Sequence, residues 1–351
     1  PDDAQNPDSE RLPAAGQEEP VPKRLPETFP NLKLSTVGQG AKLSEVVVEA
    51  RRPLSAASSA ETNYEDFELR PHSTTQEILN NVPGLVVAQH QGGGKATQYL
   101  IRGFDADHGT DFAVFVDDLP VNLVSHAHGQ GYTDLHFLIP ELVQRIEYRK
   151  GPYFANTGDF GSAGAADIAY VRKLDQSFVQ ASLGQRGYKR AVGAASAELA
   201  PSLTLLGALE LMGNDGPWTV PERLRKSSGV LNWAGGTAAE GFSATLMGYH
   251  ARWTATDQVP QRLLDVGRYQ GQHFGRFDSL DASDGGVTAR SSLSGEWHRN
   301  DGQGLTRISA YALRYRLQLW SNFSYAAERG DAEGDQFSQK DERSVVGLRA
   351  S

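Results

Sequence analysis

Two apolar runs, Thr97–Phe104 and Phe112–Val121, flank the polar segment Asp105–Asp111. Their β-branched and aromatic side chains favour a pleated, half-buried surface, and the Asp, His and Gly between them favour a turn. The pattern predicts a β-hairpin. Both outer ends of a hairpin lie at one end of the sheet. Gln89–Lys95, before the first run, and Val124–Gly131, after the second, are therefore expected to face the same way. His108, inside the turn, is expected to face the opposite way.

The same stretch carries a family resemblance. Ile101-Arg102-Gly103-Phe104, Val114-Phe115-Val116-Asp117-Asp118-Leu119-Pro120-Val121 and Arg145-Ile146-Glu147-Tyr148-Arg149-Lys150-Gly151-Pro152 occur in that order. They resemble the plug domain of TonB-dependent outer-membrane receptors, whose matching runs read Ile-Arg-Gly, Val-Asp-Gly-Val-Pro and Arg-Ile-Glu-Val-Arg-Gly-Pro. Here Asp118 stands where the family has Gly, and Lys150 lengthens the third run. Thr157–Ile168 matches the family's next Gly-rich segment loosely. Several ordered motifs over about 130 residues are specific where one alone is weak.

The 351 residues suffice for two domains. No stretch approaches the roughly 20 apolar residues of a membrane helix. Barrel strands alternate and hide from such a search. A net charge of −9, with no basic stripe, speaks against nucleic acid as a partner. With no cysteine there are no disulfides or thiolate metal sites. The 37 glycines favour strands and turns over helices.

In chain order, 1–42 is rich in Pro, Glu, Gln and Ser without periodicity and reads as a disordered tail. Residues 43–52 contain the β-branched run Ser44, Glu45, Val46, Val47, Val48, Glu49 and Ala50. By itself this is either an edge strand or a strand awaiting a partner. The resemblance implies a TonB box, which binds the inner-membrane transducer TonB by strand addition. An α+β plug domain is expected over 53–174. Within it, a helix is capped by Ser73 with Gln76 three residues on, turns Ile78 and Leu79 inward, and stops before Pro83-Gly84. A strand at Leu85–Val87, a helix opened by Pro140 and a strand over 145–149 follow.

Residues 175–351 are expected to form antiparallel transmembrane β-barrel strands. Ile308–Trp320 is the clearest: Tyr311, Leu313, Tyr315, Leu317 and Leu319 share one face, Arg314, Arg316 and Gln318 the other. We expect the apolar face toward lipid and the charged face toward a wet lumen. Leu203–Met212, Phe242–Trp253 and Ala289–His298 repeat the pattern, separated by long polar loops. The segment supplies about seven or eight strands. A plug of this size has a radius of gyration near 14 Å, and plugged lumens belong to barrels of about 22 strands. The chain is thus expected to hold an incomplete 22-stranded barrel, the N-terminal part of a longer receptor.

His126 and His128 are spaced to share one face of an extended strand, about 6.6 Å apart along it. Imidazoles so placed suit zinc, copper, nickel or iron, and His136 and Asp134 complete a candidate metal set. The alternative is a polar loop whose imidazoles hydrogen-bond the barrel wall. The resemblance implies that the outward plug apices, with His90, His126, His128, Gln130 and Tyr132, touch an extracellular ligand. It also implies that Arg102, Arg149 and Lys150 pair with acids on the barrel wall and latch the plug. Trp218, Trp253, Asp257 and Gln258 are further candidate contacts. No phosphate loop or nucleophile elbow marks an enzyme. The expected function is TonB-dependent import of an iron-siderophore or another metal chelate across the outer membrane of a Gram-negative bacterium, with no permanently bound cofactor and with membrane lipid as a neighbour. A binding or sensing module without transport, or a truncated receptor, are the alternatives.

Overall fold

The computed structural model describes residues 58–64, 74–89, 92–254, 257–323 and 336–351. These fall in one compact unit, Leu54–Ser351. The TonB-box segment Ser44–Ala50 and His90 lie outside the described residues.

The first half is a small α+β body. Its strands are β1 (Ser58–Asn63), β2 (Leu85–Ala88), β3 (Gln98–Ile101), β4 (Phe104–Asp105), β5 (Phe112–Val116), β6 (Leu119–Pro120), β7 (Val143–Lys150) and β8 (Gly164–Tyr170). One sheet has the order β1-β7-β8-β5-β6 and a second the order β2-β3-β4. Every neighbouring pair is antiparallel except β5 with β8. Short 3-10 helices occupy Thr75–Asn81 and Pro140–Leu142. Ile78, Leu79, Tyr99, Ile101, Phe112, Val114, Ile146 and Ile168 form the core.

The expected hairpin of the two opening runs does not form. β3 folds back on β4 through Arg102-Gly103, and β5 folds back on β6 through Asp117-Asp118. All four turn residues have positive φ (49°, 87°, 48° and 63°), as a tight two-residue hairpin turn requires. The runs therefore end in different sheets. All five residues of β5 are buried, which suits an interior strand with cover on both faces. The helix start also shifts. Ser73 lies outside the described residues, and the Thr74 backbone N–H donates to the Glu77 carboxylate at 3.3 Å. Gln76 instead turns into the core.

The second half is one antiparallel sheet of eight long strands: β9 (Phe178–Leu183), β10 (Lys189–Ala200), β11 (Leu203–Asn214), β12 (Leu224–Gly236), β13 (Glu240–Thr254), β16 (Gly285–Asn300), β17 (Leu305–Ser321) and β18 (Phe337–Ala350). The hairpin β14 (Arg268–Tyr269) and β15 (Gln272–His273) sits in the β13–β16 connection. Strands pair in sequence order, and β9 and β18 are its edges. At one end the connections are short, as at 201–202, 237–239 and 301–304; at the other they are long, as at 215–223 and 255–284. Barrels of the outer membrane have this asymmetry.

The facing of β17 is opposite to the expectation. Leu313, Tyr315, Leu317 and Leu319 are buried on the inner side, and Arg314 and Arg316 are exposed outside. The plug occupies the inner side at this level, so the wall needs apolar surface there. The outward apolar belt comes from other positions. Val346, Ala312, Leu293, Leu246 and Leu231 lie side by side in register across β18, β17, β16, β13 and β12. Trp233 and Phe242 pack edge to face near the short-turn end, their centroids 5.4 Å apart.

Candidate functional site

Two plug segments reach the wall near its long-connection end. In the first, the Gly93 N–H donates to Glu222, and the Trp253 ring covers Gly94 so closely that a Cβ there would lie 2.2 Å from it. Lys95 follows, only 2% exposed. Burial draws its ammonium down to about 8, against the pull of Asp257 and Asp107. Burial also raises the Glu222 carboxyl above the usual carboxylate range, although the Gly93 N–H favours its ionised form.

The second segment is the His-rich loop. The Ala127 N–H donates to Asp341 at 3.1 Å, and the Gln339 amide donates to the Ala127 carbonyl at 2.9 Å. That orientation leaves Gln339 Oε1 facing His128 Nδ1, 2.8 Å away. On its far side, His128 Nε2 lies 3.0 Å from His108 Nε2, and His108 Nδ1 donates to the Thr97 carbonyl. His108 thus stands beside His128, contrary to the opposite facing that the hairpin predicted. The turn holding it folds against 128–133, where the Thr133 N–H donates to the His108 carbonyl at 2.8 Å. The His126 ring stacks on Tyr132 at 4.0 Å. Burial pushes His126 down to about 4, and its Nδ1 accepts from the His128 N–H at 3.1 Å.

Asp134 and His136 belong to a different group. His136 Nδ1 donates to Asp134 at 2.9 Å, which leaves Nε2 to accept from the Gln76 amide at 3.2 Å. Gln76 Oε1 accepts from Thr97 Oγ1 (2.9 Å) and Tyr99 OH (3.0 Å). This hub was missed in the sequence; the Thr74-x-x-Glu77 spacing was its available signal, since it leaves Gln76 free of capping. The four candidate metal ligands therefore do not converge. Among the described residues no group of three or more His, Asp or Glu is arranged to hold a metal ion. Of the expected ligand contacts, Gln130 is exposed. Tyr132 is 0% exposed, and its hydroxyl accepts from the Ala96 N–H at 3.0 Å. It is a platform for His126 rather than a surface.

Beside Gly93 lies a cavity of about 370 Å³ shared by plug and wall. Thr74, Thr75, Gly92 and His136 line it from the plug; Trp218, Glu222, Lys226, Asp257, Gln258 and Arg276 line it from the wall and its loops. Trp218, Asp257 and Gln258 are thus brought together as expected, while Trp253 is taken up by packing on Gly94.

The expected latch is also reassigned. Arg149 pairs with Asp167 inside the plug and lies over Phe154. Lys150 lies over the Tyr148 ring. Among the described residues neither Arg102 nor Lys150 has a wall carboxylate as partner. Most cations that join plug and wall stand on the wall, while Lys173 at the plug's C-terminal end pairs with wall Glu198 at 2.9 Å. Arg190 grips plug Glu141 with both terminal nitrogens, one at 2.8 Å, and reaches buried Glu210 at 3.3 Å. Lys226 pairs with Glu210 at 2.9 Å and donates to plug Thr75 at 2.7 Å. Arg307 reaches plug Asp118 at 3.4 Å, Arg349 donates to the Asn156 carbonyl at 3.1 Å, and Arg290 covers Phe137 at 4.3 Å.

Comparison with known proteins places this arrangement. Residues 53–165 match the family model described as TonB-dependent Receptor Plug Domain. Among solved structures, the chain is similar to the ferric-catecholate import receptor Fiu from E. coli in its open form, with a TM-score of 0.62 at 13% identity over 84% of this chain and 45% of that one. It is similar to the unliganded ferric citrate transporter FecA, with 0.60 at 14% over 75% and 42%. It is also similar to the siderophore receptor PiuA from Acinetobacter baumannii, with 0.59 at 12% over 84% and 42%. The chain spans less than half the length of each. At such identities the likeness is one of fold, and the plug motifs carry the family. Residues 53–165 are thus a TonB-dependent receptor plug domain, seated on an antiparallel wall whose fold is like that of these receptors.

Proposed function

We propose that the chain forms the plug and part of the barrel of an outer-membrane receptor of a Gram-negative bacterium, which imports a ferric siderophore or another metal chelate using energy delivered by TonB. The observation that carries this reading is the cavity at the long-connection end, lined jointly by plug and wall. A ligand there touches both bodies at once, so its binding can alter how they hold each other. Apolar Trp218 and Val259 beside polar Glu222, Asp257, Gln258 and Arg276 suit a chelate with an organic surface and a charged centre.

From the cavity, contact passes inward. His136 and Thr75 line it, His136 bonds Gln76, and Gln76 holds Thr97 and Tyr99 of β3. TonB is to pair with Ser44–Ala50, just before β1. β1 is an edge strand held by β7 alone, so a pull there meets one ladder of hydrogen bonds first. The metal-chelate preference rests on what the similar receptors are named for, together with the histidines of the plug apex.

The test is uptake by cells carrying the full-length receptor, with labelled ferric catecholate, ferric hydroxamate, ferric citrate and cobalamin. Val47→Pro removes a backbone donor needed for strand addition and is expected to abolish uptake of one ligand without loss of its binding. Trp218→Ala is expected to weaken binding of that same ligand. Uptake indifferent to both substitutions would refute the assignment.

A further inference from the structure

The outer surface of the wall carries a second candidate site. In register across four strands at the long-connection end stand Leu183 of β9, Lys189 of β10, Gly213 of β11 and Arg225 of β12, with Arg252 of β13 beside Arg225. All alternate outward, since Arg190, Met212, Lys226 and Trp253 take the inward positions. Gly213 lets its neighbours lean over it. A Cβ there would lie 3.2 Å from Lys189 Cε and 3.3 Å from Arg225 Nη1. Two cations are thus gathered over one glycine, and a third is adjacent. The cations next to them in sequence serve other groups: Arg190 and Lys226 pair on the inner side. Among the described residues Lys189, Arg225 and Arg252 have no carboxylate partner.

A groove of about 520 Å³ runs beneath these cations. Its floor is small, with Ala181, Ala191 and Ser227, and its flank is apolar, with Leu183 and Leu211. Leu183 is 89% exposed. Toward the short-turn end the surface continues as the apolar belt, through Leu209 and Val179. Cations that meet an apolar groove at the edge of such a belt are complementary to an amphiphile with an anionic head. Guanidinium pairs favour phosphate in particular.

We propose that this groove binds a phosphorylated glycolipid of the outer leaflet, its phosphate held by Lys189, Arg225 and Arg252 and an acyl chain laid along Leu183, Leu211 and Leu209. The inference rests on the outer-membrane placement proposed above, with the long connections outside, but not on what the receptor imports.

The experiment uses purified full-length receptor in detergent, with native mass spectrometry and titration of three probes: diphosphorylated lipid A, phosphatidylglycerol and inorganic phosphate. Wild type is expected to retain lipid A, and the triple variant Lys189→Gln/Arg225→Gln/Arg252→Gln to bind it at least about 10-fold more weakly. Gly213→Val, which fills the cradle and keeps every charge, is expected to weaken it similarly and serves if the triple variant does not fold. Arg299→Gln, an exposed cation at the short-turn end, is the control and is expected to change nothing. Unchanged lipid A binding in the triple variant and in Gly213→Val overturns the proposal. So does equal affinity for phosphatidylglycerol, which means general lipid adherence, or full competition by inorganic phosphate, which means a simple anion site. Membrane fractionation reports separately on the placement, so that its failure is distinguishable from failure of the site.

Discussion

The Arg190–Glu141 contact makes the sharpest test of how plug and wall are joined. Arg190 stands on β10 and Glu141 in the plug's 140–142 turn, with the two side chains 14% and 19% exposed. Opposite charges about 4 Å apart attract by about 4 kcal/mol at an effective dielectric constant near 20. Partial desolvation and the ordering of a long side chain offset roughly half of that. The forked geometry, with both terminal nitrogens engaged, favours the upper part of what remains. We therefore expect a coupling of about 2 kcal/mol from the cycle of Arg190→Ala, Glu141→Ala and the double variant. Arg190 also touches Glu210, so its single substitution costs more than that of Glu141; the cycle removes this difference. The readout is urea-induced undocking, followed by fluorescence of Trp253, whose ring covers plug Gly94. Losses that add to within about 0.5 kcal/mol would mean that the pair is not a joint between the two bodies.

Three further outcomes follow from neighbouring geometry. Gly94→Ala places a methyl against the Trp253 ring, and overpacking of this kind is expected to cost about 1–3 kcal/mol and to shift Trp253 emission; an unperturbed spectrum with unchanged stability contradicts the contact. Asp118 sits at φ 63° and pairs with half-exposed Arg307, so Asp118→Gly trades a weak ion pair for backbone relief and is expected to be nearly neutral, while Asp118→Ala keeps the strain and loses about 1 kcal/mol more; equal urea midpoints for the two variants would refute this account. Lys95 titrates near 8 in the folded chain, below its ordinary value of 10.5. Over that window the unfolded chain holds the extra proton, so stability is lowest below about pH 8 and rises by up to roughly 3 kcal/mol as pH climbs toward about 10.5. Lys95→Met is expected to remove this rise, and a wild-type urea midpoint that falls over the window reverses the sign and sinks the assignment.

What could be read from the sequence was local. Period-two alternation located the strands at 203–212, 242–253, 289–298 and 308–320, and eight long strands form where seven or eight were expected. Pro140 opens its helical turn, and the chain leaves the helix before Pro83. Partner choice was not local. β5 pairs with β8 some fifty residues on, and His128 meets Gln339 across 211 residues. No spacing within either segment encodes such a contact. The hairpin inference failed because it placed the turn in the longest polar segment. The tighter turns at Arg102-Gly103 and Asp117-Asp118 are set by tolerance of positive φ, a weaker signal in the sequence. Even so, Gly93 and the Ala127–His128 segment both reach the wall near its long-connection end, through Glu222 and through Gln339 and Asp341. That shared direction survives although the pairing used to infer it does not.

Alternation has a deeper ambiguity. It shows that a strand has two unlike faces, but not which one meets lipid. On β17 the apolar face meets the plug, because a filled lumen is itself a hydrophobic partner. Inner surface changes around the wall, from Leu313, Leu317 and Leu319 on β17 to Glu210 and Lys226 on β11 and β12. The charged side is where Arg190 and Lys226 reach Glu141 and Thr75. Latch polarity follows from the same cause. A plug turn can carry an acid at a position of positive φ, as Asp118 does, more readily than a long basic side chain can be packed inside a small α+β core. At Arg190, Lys226 and Arg307 the long cation is held by the wall, where a strand supports the stem and the head reaches across; Lys173, at the exposed end of the plug, is the reverse case, pairing with wall Glu198. The departure of residue 118 from the family's glycine is thus the sequence mark of a contact: Asp tolerates the turn that Gly otherwise supplies and adds the carboxylate that Arg307 meets.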